Sequence, residues 1–392
     1  MAKRQLWQKP QLRTDEEQHI HRKVTWLELF FDLIFVVVVA ELSHYLAKHV
    51  SLDGVGSFIL LFLPVWWVWI GATYYNERFE TEGLENRIFT FLQILGAASL
   101  AIFTHDGLGK TSVGFALSYV LSRSIVTYLW VRGGYHDRRF LPTAKRFGLC
   151  FSISIACFIL SVFVSPPQRF VLWGIGLLLD ISAPLFAYRH QAQLPKFSSS
   201  KLPERFGLFL IIVLGESVVA VVQGLAAKPE LSPQAAGTGV LAMAIAFGMW
   251  WIYFDFVARR SPKSGIFWAY AWAYLHMPLV MAVTATGAGI LNVIASEQAG
   301  LPDPARMLIS GSVAISLTVI AMLENTLHRE ADEPTHPHLS PALKLIAAAG
   351  AVGLGIWGTG LGAIALLALL FGLLAIQMVY GLIVWFNMEL DG

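Results

Sequence analysis

The residues best placed to do chemistry in this sequence are acids and bases set inside long apolar runs. WLELFFDLIFVVVVAELSH, residues 26–44, carries Glu28, Asp32, Glu41 and His44. Arg123 stands in YVLSRSIVTY, Asp180 in LLLDISAP, Glu216 in VLGESVV and His276 in AYLHMPLVM. A charge at the centre of a bilayer costs roughly 3 kcal/mol even on the gentler insertion scales, so such groups face a protein interior, a water cavity or an opposite charge. Their chemistry is the holding of protons, small cations or charged solutes.

Depth sorts these candidates. At about 1.5 Å per residue, Glu28 lies about 6 Å into its run and Asp32 about 12 Å, one turn further on the same face. Two carboxylates so placed repel if both are ionised, so a cation or basic side chain lies between them, or one carries a proton. Arg123 lies about 18 Å in, too deep to snorkel, and needs an anion. Asp32, Glu28, Asp180 and Glu216 are the acids within reach, with the first helix favoured. Gly215 and Ser217 flank Glu216, a small-residue setting that lets a backbone approach or makes room for a ligand or water. His276 precedes Pro278, which frees a backbone carbonyl; a neutral histidine bonded to neighbouring backbone is the alternative. Glu77, Arg78 and Asp255, together with Glu324 and Asn325, close their runs at one side, as a cytoplasmic mouth or as helix ends in the headgroup region.

The elements that must position these groups follow from composition. Of 392 residues 56% are hydrophobic and 14% charged, against roughly 25% charged in soluble domains. A helix needs about 20 residues to cross the hydrocarbon. Twelve apolar runs meet that need, near 24–47, 55–76, 87–105, 111–132, 145–164, 168–188, 204–226, 235–258, 265–294, 305–327, 341–358 and 361–386. Lipid offers no partner to a free N–H or C=O, so these are helices; a barrel would show short alternating strands. The first run follows 23 polar residues with no small-residue cleavage site and reads as a span rather than a removable signal. Cys150 and Cys157 exclude a disulfide framework and read as small core residues.

Formal net charge is only +2, but its distribution is uneven: 22 Lys and Arg lie on alternate connections beginning with the N-terminal tail and five on the others, with Arg123 alone inside a span. The basic bias of cytoplasmic loops puts both termini in the cytoplasm and supports an even number of spans. RHQAQLPKFSSSKLP marks a linker. The expected organisation is a tail over 1–23, a six-helix repeat over 24–190, a linker over 191–203 and a second six-helix repeat over 204–392. ERFGLFLIIVLGESVVAV echoes ELFFDLIFVVVVAELS, and WWVW at 66–69 is answered by WWIY at 250–253. Six spans per half make the repeats parallel. The fold class is all-α, polytopic, with about twelve transmembrane helices.

THPHL at 335–339 and HIH at 19–21 lack the further ligands a metal site needs. No P-loop, nucleophile elbow or HExxH is present, so no cofactor, metal or catalytic residue is assigned. Dispersed basic residues give nucleic acid no patch. The partners are the lipid bilayer and a small solute, proton or cation.

WLELFFDL at 26–33 resembles the opening motif of the bacterial low temperature requirement A family. The resemblance continues through WWVWIGATYYNERFE, Arg123, ERFGLFLIIVLGES, WWIYFD and YLHMPL. It implies a multi-pass membrane protein linked by the family name to growth in the cold, with no enzymatic activity attached. Phe30 and Asp32 also resemble the opening step of a potassium channel family built of six-helix repeats, although Phe31 departs from it. The leading expectation is a secondary transporter or ion conduit in which Asp32, Arg123 and Glu216 line a cavity between the halves. A lipid-handling protein or enzyme acting at the headgroups near Glu28, Glu77, Arg78 and Asp255, and a scaffold or sensor, remain as alternatives.

Overall fold

The computed structural model describes residues 7–13, 23–80, 83–197, 201–296, 300–329 and 335–387. Among them the chain forms thirteen helices: α1 (Trp26–Lys48), α2 (Leu52–Arg78), α3 (Leu84–Thr104), α4 (Ser112–His136), α5 (Leu141–Ser161), α6 (Gln168–Phe186), α7 (Tyr188–Gln191), α8 (Lys201–Ala226), α9 (Pro233–Tyr253), α10 (Ile266–Ala295), α11 (Asp303–Thr326), α12 (Leu339–Trp357) and α13 (Ala363–Phe386). Each of the twelve apolar runs coincides with a long helix. Eleven of these are long and apolar enough to cross a membrane; α1, which carries Glu28, Asp32 and Glu41, is not among the eleven. Arg123, read from the sequence as alone inside a span, is not the only basic residue buried within one. Arg205, Arg306 and Lys344 are helical and buried as well.

The chain divides into two compact units, one of Met1–Tyr45 with Gly56–Leu202 and the other of Leu46–Val55 with Pro203–Gly392. In the first unit α3, α4, α5 and α6 pack against one another in chain order, and α7 folds onto α5 and α6. Small residues set the spacing: a Cβ added at Gly96 of α3 would stand 2.3 Å from Ser122 Oγ of α4, so the glycine permits that approach. Two short strands, β1 (Gln11–Leu12) and β2 (Phe79–Glu80), pair antiparallel with Leu12 opposite Phe79. Phe79 is buried against the rings of Tyr75, Trp130 and Phe140. Part of what the sequence presents as a polar tail is therefore fixed to the helices. Residues 7–13 form a strap held by this strand pair, by Arg13 N donating to Arg78 O (3.0 Å), and by Arg132 Nη2 donating to Gln8 O (2.6 Å).

In the second unit α10 packs on α11, α11 on α12, and α13 on both α9 and α12. Ser232 caps α9 by accepting from Ala235 N (3.1 Å), with Pro233 in the first helical position where its missing N–H costs nothing. α9 runs on into a π-turn at Phe254–Ala258 that redirects its last side chains. Asn292 Nδ2 of α10 donates to Ala47 O (3.0 Å), which ties the last turn of α1 to this unit.

Candidate functional site

The densest buried polar centre of the first unit joins α4, α5 and α6. Arg123, at mid-helix in α4, donates Nε to Asp180 Oδ2 (3.0 Å) and Nη2 to Asp180 Oδ1 (3.1 Å). Its guanidinium lies 3.8 Å from the centre of the Phe151 ring of α5, a cation over an aromatic face. Asp180, on α6, also accepts from Ser154 Oγ (3.1 Å) and from the Tyr119 hydroxyl. Tyr119 and Arg123 lie one turn apart, as do Phe151 and Ser154, so each helix turns two side chains to one point. Both charges are essentially inaccessible to solvent, at 1% and 0% exposure. A planar fork against a carboxylate suits such a place, because its two parallel bonds meet both charges at fixed geometry.

The third guanidinium nitrogen, Nη1, has no hydrogen-bond partner. It lies against α2 at Gly71, where an added Cβ would come within 2.8 Å of it. Two residues earlier on α2, Trp69 Nε1 donates to Asp32 Oδ1 (2.8 Å). Arg123 thus pairs with the carboxylate of α6, not with the first helix, which the sequence reading favours. Trp69 and Gly71 point about 200° apart around α2, so Asp32 and Arg123 address different faces of it.

Glu28 has a different task from the one its depth suggests. Thr25 N and Oγ1 both donate to Glu28 Oε2 (2.9 Å each), and Glu28 N donates back to Thr25 Oγ1 (3.3 Å). This is a capping box that satisfies the first amides of α1. Lys201 Nζ stands 3.1 Å from the other oxygen. Of the Glu28 and Asp32 carboxylates, expected to have a cation or a basic side chain between them or to hold a proton, Glu28 meets a basic side chain in Lys201 and Asp32 accepts from Trp69. Glu77 pairs with Arg13 of the strap. Arg78 donates to Pro195 O and lies 3.9 Å over the Phe197 ring. Asp255 accepts from Trp251 Nε1 (2.6 Å) and faces Arg259 (3.4 Å) within its own turn. Of the residues read as a mouth, Glu77 and Arg78 thus hold segments distant in sequence, and Asp255 bonds within its own helix.

In the second unit Glu216 and Ser217 of α8 are buried. No atom lies within 4 Å of a Cβ added at Gly215, so that glycine leaves room and is not a point of close approach. His276 is engaged at both nitrogens: Nδ1 is 2.7 Å from Trp272 O and Nε2 is 2.9 Å from Tyr253 Oη. The carbonyl requires a donor at Nδ1, and toward the tyrosine hydroxyl Nε2 accepts when the ring is neutral and donates when it is charged. A further buried ion pair, in this unit, was not legible as such in the sequence. Lys344 Nζ of α12 is 2.7 Å from Glu324 Oε1 of α11, donates to Ser340 Oγ (3.0 Å) and lies 3.5 Å over Phe256 of the π-turn. Ser340 Oγ donates to Glu324 Oε2 (2.7 Å). His336 Nδ1 accepts weakly from the amides of His338 and Leu339 (3.4 and 3.3 Å), a turn at the start of α12; His19 and His21 lie outside the described residues.

A family model described as bacterial low temperature requirement A protein (LtrA) matches residues 23–381. An uncharacterized protein of Rhizobium meliloti (strain 1021) is 27% identical over 285 residues, which cover 68% of each chain.

Proposed function

Since the chain belongs to the bacterial low temperature requirement A family and is a multi-pass membrane protein with eleven helices fit to span a bilayer, we propose that it is a secondary transporter or ion conduit of the plasma membrane. With α1 counted as a twelfth span, both termini are cytoplasmic, in keeping with the basic bias of alternate connections. The observation that carries the reading is the Arg123–Asp180 pair: deeply buried and bidentate, with one guanidinium nitrogen left over.

The chemistry runs as follows. While Asp180 is ionised, its four donors hold it and Arg123 is neutralised. A proton or small cation arriving at Asp180 cancels that charge, and the guanidinium then needs another anion. A solute carrying a carboxylate or similar group fits the planar fork. Occupation of one group thereby governs the affinity of the other, which is coupling in the thermodynamic sense. Asp32 and Glu216 are the further buried acids through which charge moves. The family name supports a part in growth at low temperature.

The test is reconstitution. Purified protein in proteoliposomes, screened by solid-supported membrane recording against small anionic solutes and cations, should give transient currents. Asp180→Asn, Asp32→Asn and Glu216→Gln should abolish them while leaving the protein folded by size-exclusion chromatography. Full currents in all three variants would remove the reading, and sustained single-channel events in place of saturable transients would choose the conduit over the carrier.

A further inference from the structure

Glu85 is the second residue of α3 and is fully buried, yet neither of its carboxylate oxygens has a hydrogen-bond partner. Among the described residues the first unit buries four other acids, and each has a partner: Glu28 with Thr25 and Lys201, Asp32 with Trp69, Glu77 with Arg13, and Asp180 with Arg123. Glu85 is the exception. A carboxylate taken out of water with nothing in exchange is strongly unfavourable, so a group in this position calls for a positive charge.

The surroundings are shaped for one. A Cβ added at Gly83 would come within 2.2 Å of Glu85 Oε2. Gly83 has φ −74°, a backbone setting open to any residue, so the glycine supplies space beside the carboxylate. Phe89 and Gln93 follow Glu85 at one and two turns on the same face, and Oε1 of Gln93 is likewise buried without a partner. The strap crosses this end of the unit: Trp7 packs edge-on against Phe89 (6.0 Å), and Gln8 O occupies Arg132. Arg13 is taken by Glu77. No three His, Cys, Asp or Glu side chains converge among the described residues, which does not suit a divalent ion that needs several charged ligands.

We infer that Glu85 binds a single positive charge, a proton or an alkali cation, beneath the N-terminal strap. The inference builds on the transport reading by adding a second cation-holding carboxylate, apart from Asp180, in the same unit.

Full-length protein in detergent, with no gradient imposed, tests it. Binding of radioactive sodium and rubidium is measured by scintillation proximity, and infrared difference spectra on acidification report carboxyl protonation. Loss of alkali-ion binding in Glu85→Gln supports an alkali site; a protonated-carboxyl band present in the unsubstituted protein and absent in Glu85→Gln supports a proton site. Identical binding and identical spectra in the two proteins overturn the inference. If Glu85→Gln does not give monodisperse protein, Gly83→Ala decides: crowding of Oε2 should weaken alkali binding roughly tenfold or more or shift the carboxyl band, and no change in either overturns it. Positive binding with flat membrane currents would sink the transport reading and leave the site; currents that survive without Glu85-dependent binding would do the reverse.

Discussion

Arg123–Asp180 and Lys344–Glu324 are both buried ion pairs, and they differ in depth, geometry and surplus. The first lies at the middle of α4 and α6, with a planar fork laid along a carboxylate that also accepts from Tyr119 and Ser154. The second joins the last turns of α11 to the first turns of α12 through a point charge shared among Glu324, Ser340 and the Phe256 ring. Arginine leaves a nitrogen unspent; lysine, a compact charge on a flexible stem, adapts to what is near. The difference separates a pair able to change partner from one that fastens two helix ends.

The comparison breaks most sharply at Asp180. Asp180→Ala leaves a guanidinium uncompensated and should cost about 3–5 kcal/mol, read as a fall in unfolding midpoint in detergent. Arg123→Met with Asp180→Leu removes both charges and should restore stability to within about 1 kcal/mol of the parent; membrane currents must still be lost, and their survival would make this pair a fastener like the other. Glu324→Ala strips the equally buried Lys344 of its carboxylate and should cost about 3 kcal/mol, the low end of the same range because the flexible lysine stem can turn its charge to another acceptor, with currents retained. Gly71→Ala presses a methyl group onto Nη1 and Val126 and should cost about 1 kcal/mol, visible as a small drop in midpoint and a larger one in current.

The smallest effect lies outside the helices. Asp137, just beyond α4, accepts from Arg139 Nη2 (2.8 Å) and from Arg139 N (2.8 Å), and the bond from the Arg139 side chain holds its carboxyl below the usual range. A depressed value means the stabilisation is present near neutrality and is lost as the pH falls below about 4. Arg139 is largely solvent-exposed, so screening limits the contribution to about 0–1 kcal/mol. Asp137→Asn should flatten the acid limb of the midpoint–pH curve by that little and no more.

Helices were legible because apolar length alone demands them in lipid, and Arg123's need for an acid was legible because a bare charge at that depth is too costly. Which acid it takes was not legible, since that depends on the packing of α4 and α5 against α6, and spacing along a single helix carries no such information. Glu28 could have been read better: TWLE before an apolar run has the form of a capping box, with the acid three residues beyond the cap. Lys344 stands three residues inside the run that begins at 341, yet counts with the preceding connection when Arg123 is read as the one basic residue in a span, and so its burial on α12 is missed. Glu85 gave no signal, for an acid at the start of a helix is ordinary and only its solitude in three dimensions sets it apart.

The strap carries a consequence for the order of assembly. Its partners are synthesised much later than it is: Glu77 lies 64 residues beyond Arg13, and Arg132 lies 124 residues beyond Gln8. The leading segment must therefore wait, undocked, while four helices enter the membrane, and contacts this distant in sequence are slow to close. Trimming the first thirteen residues would take away the last piece to settle, and would leave Arg132 and Glu77 without the groups that were made first to meet them.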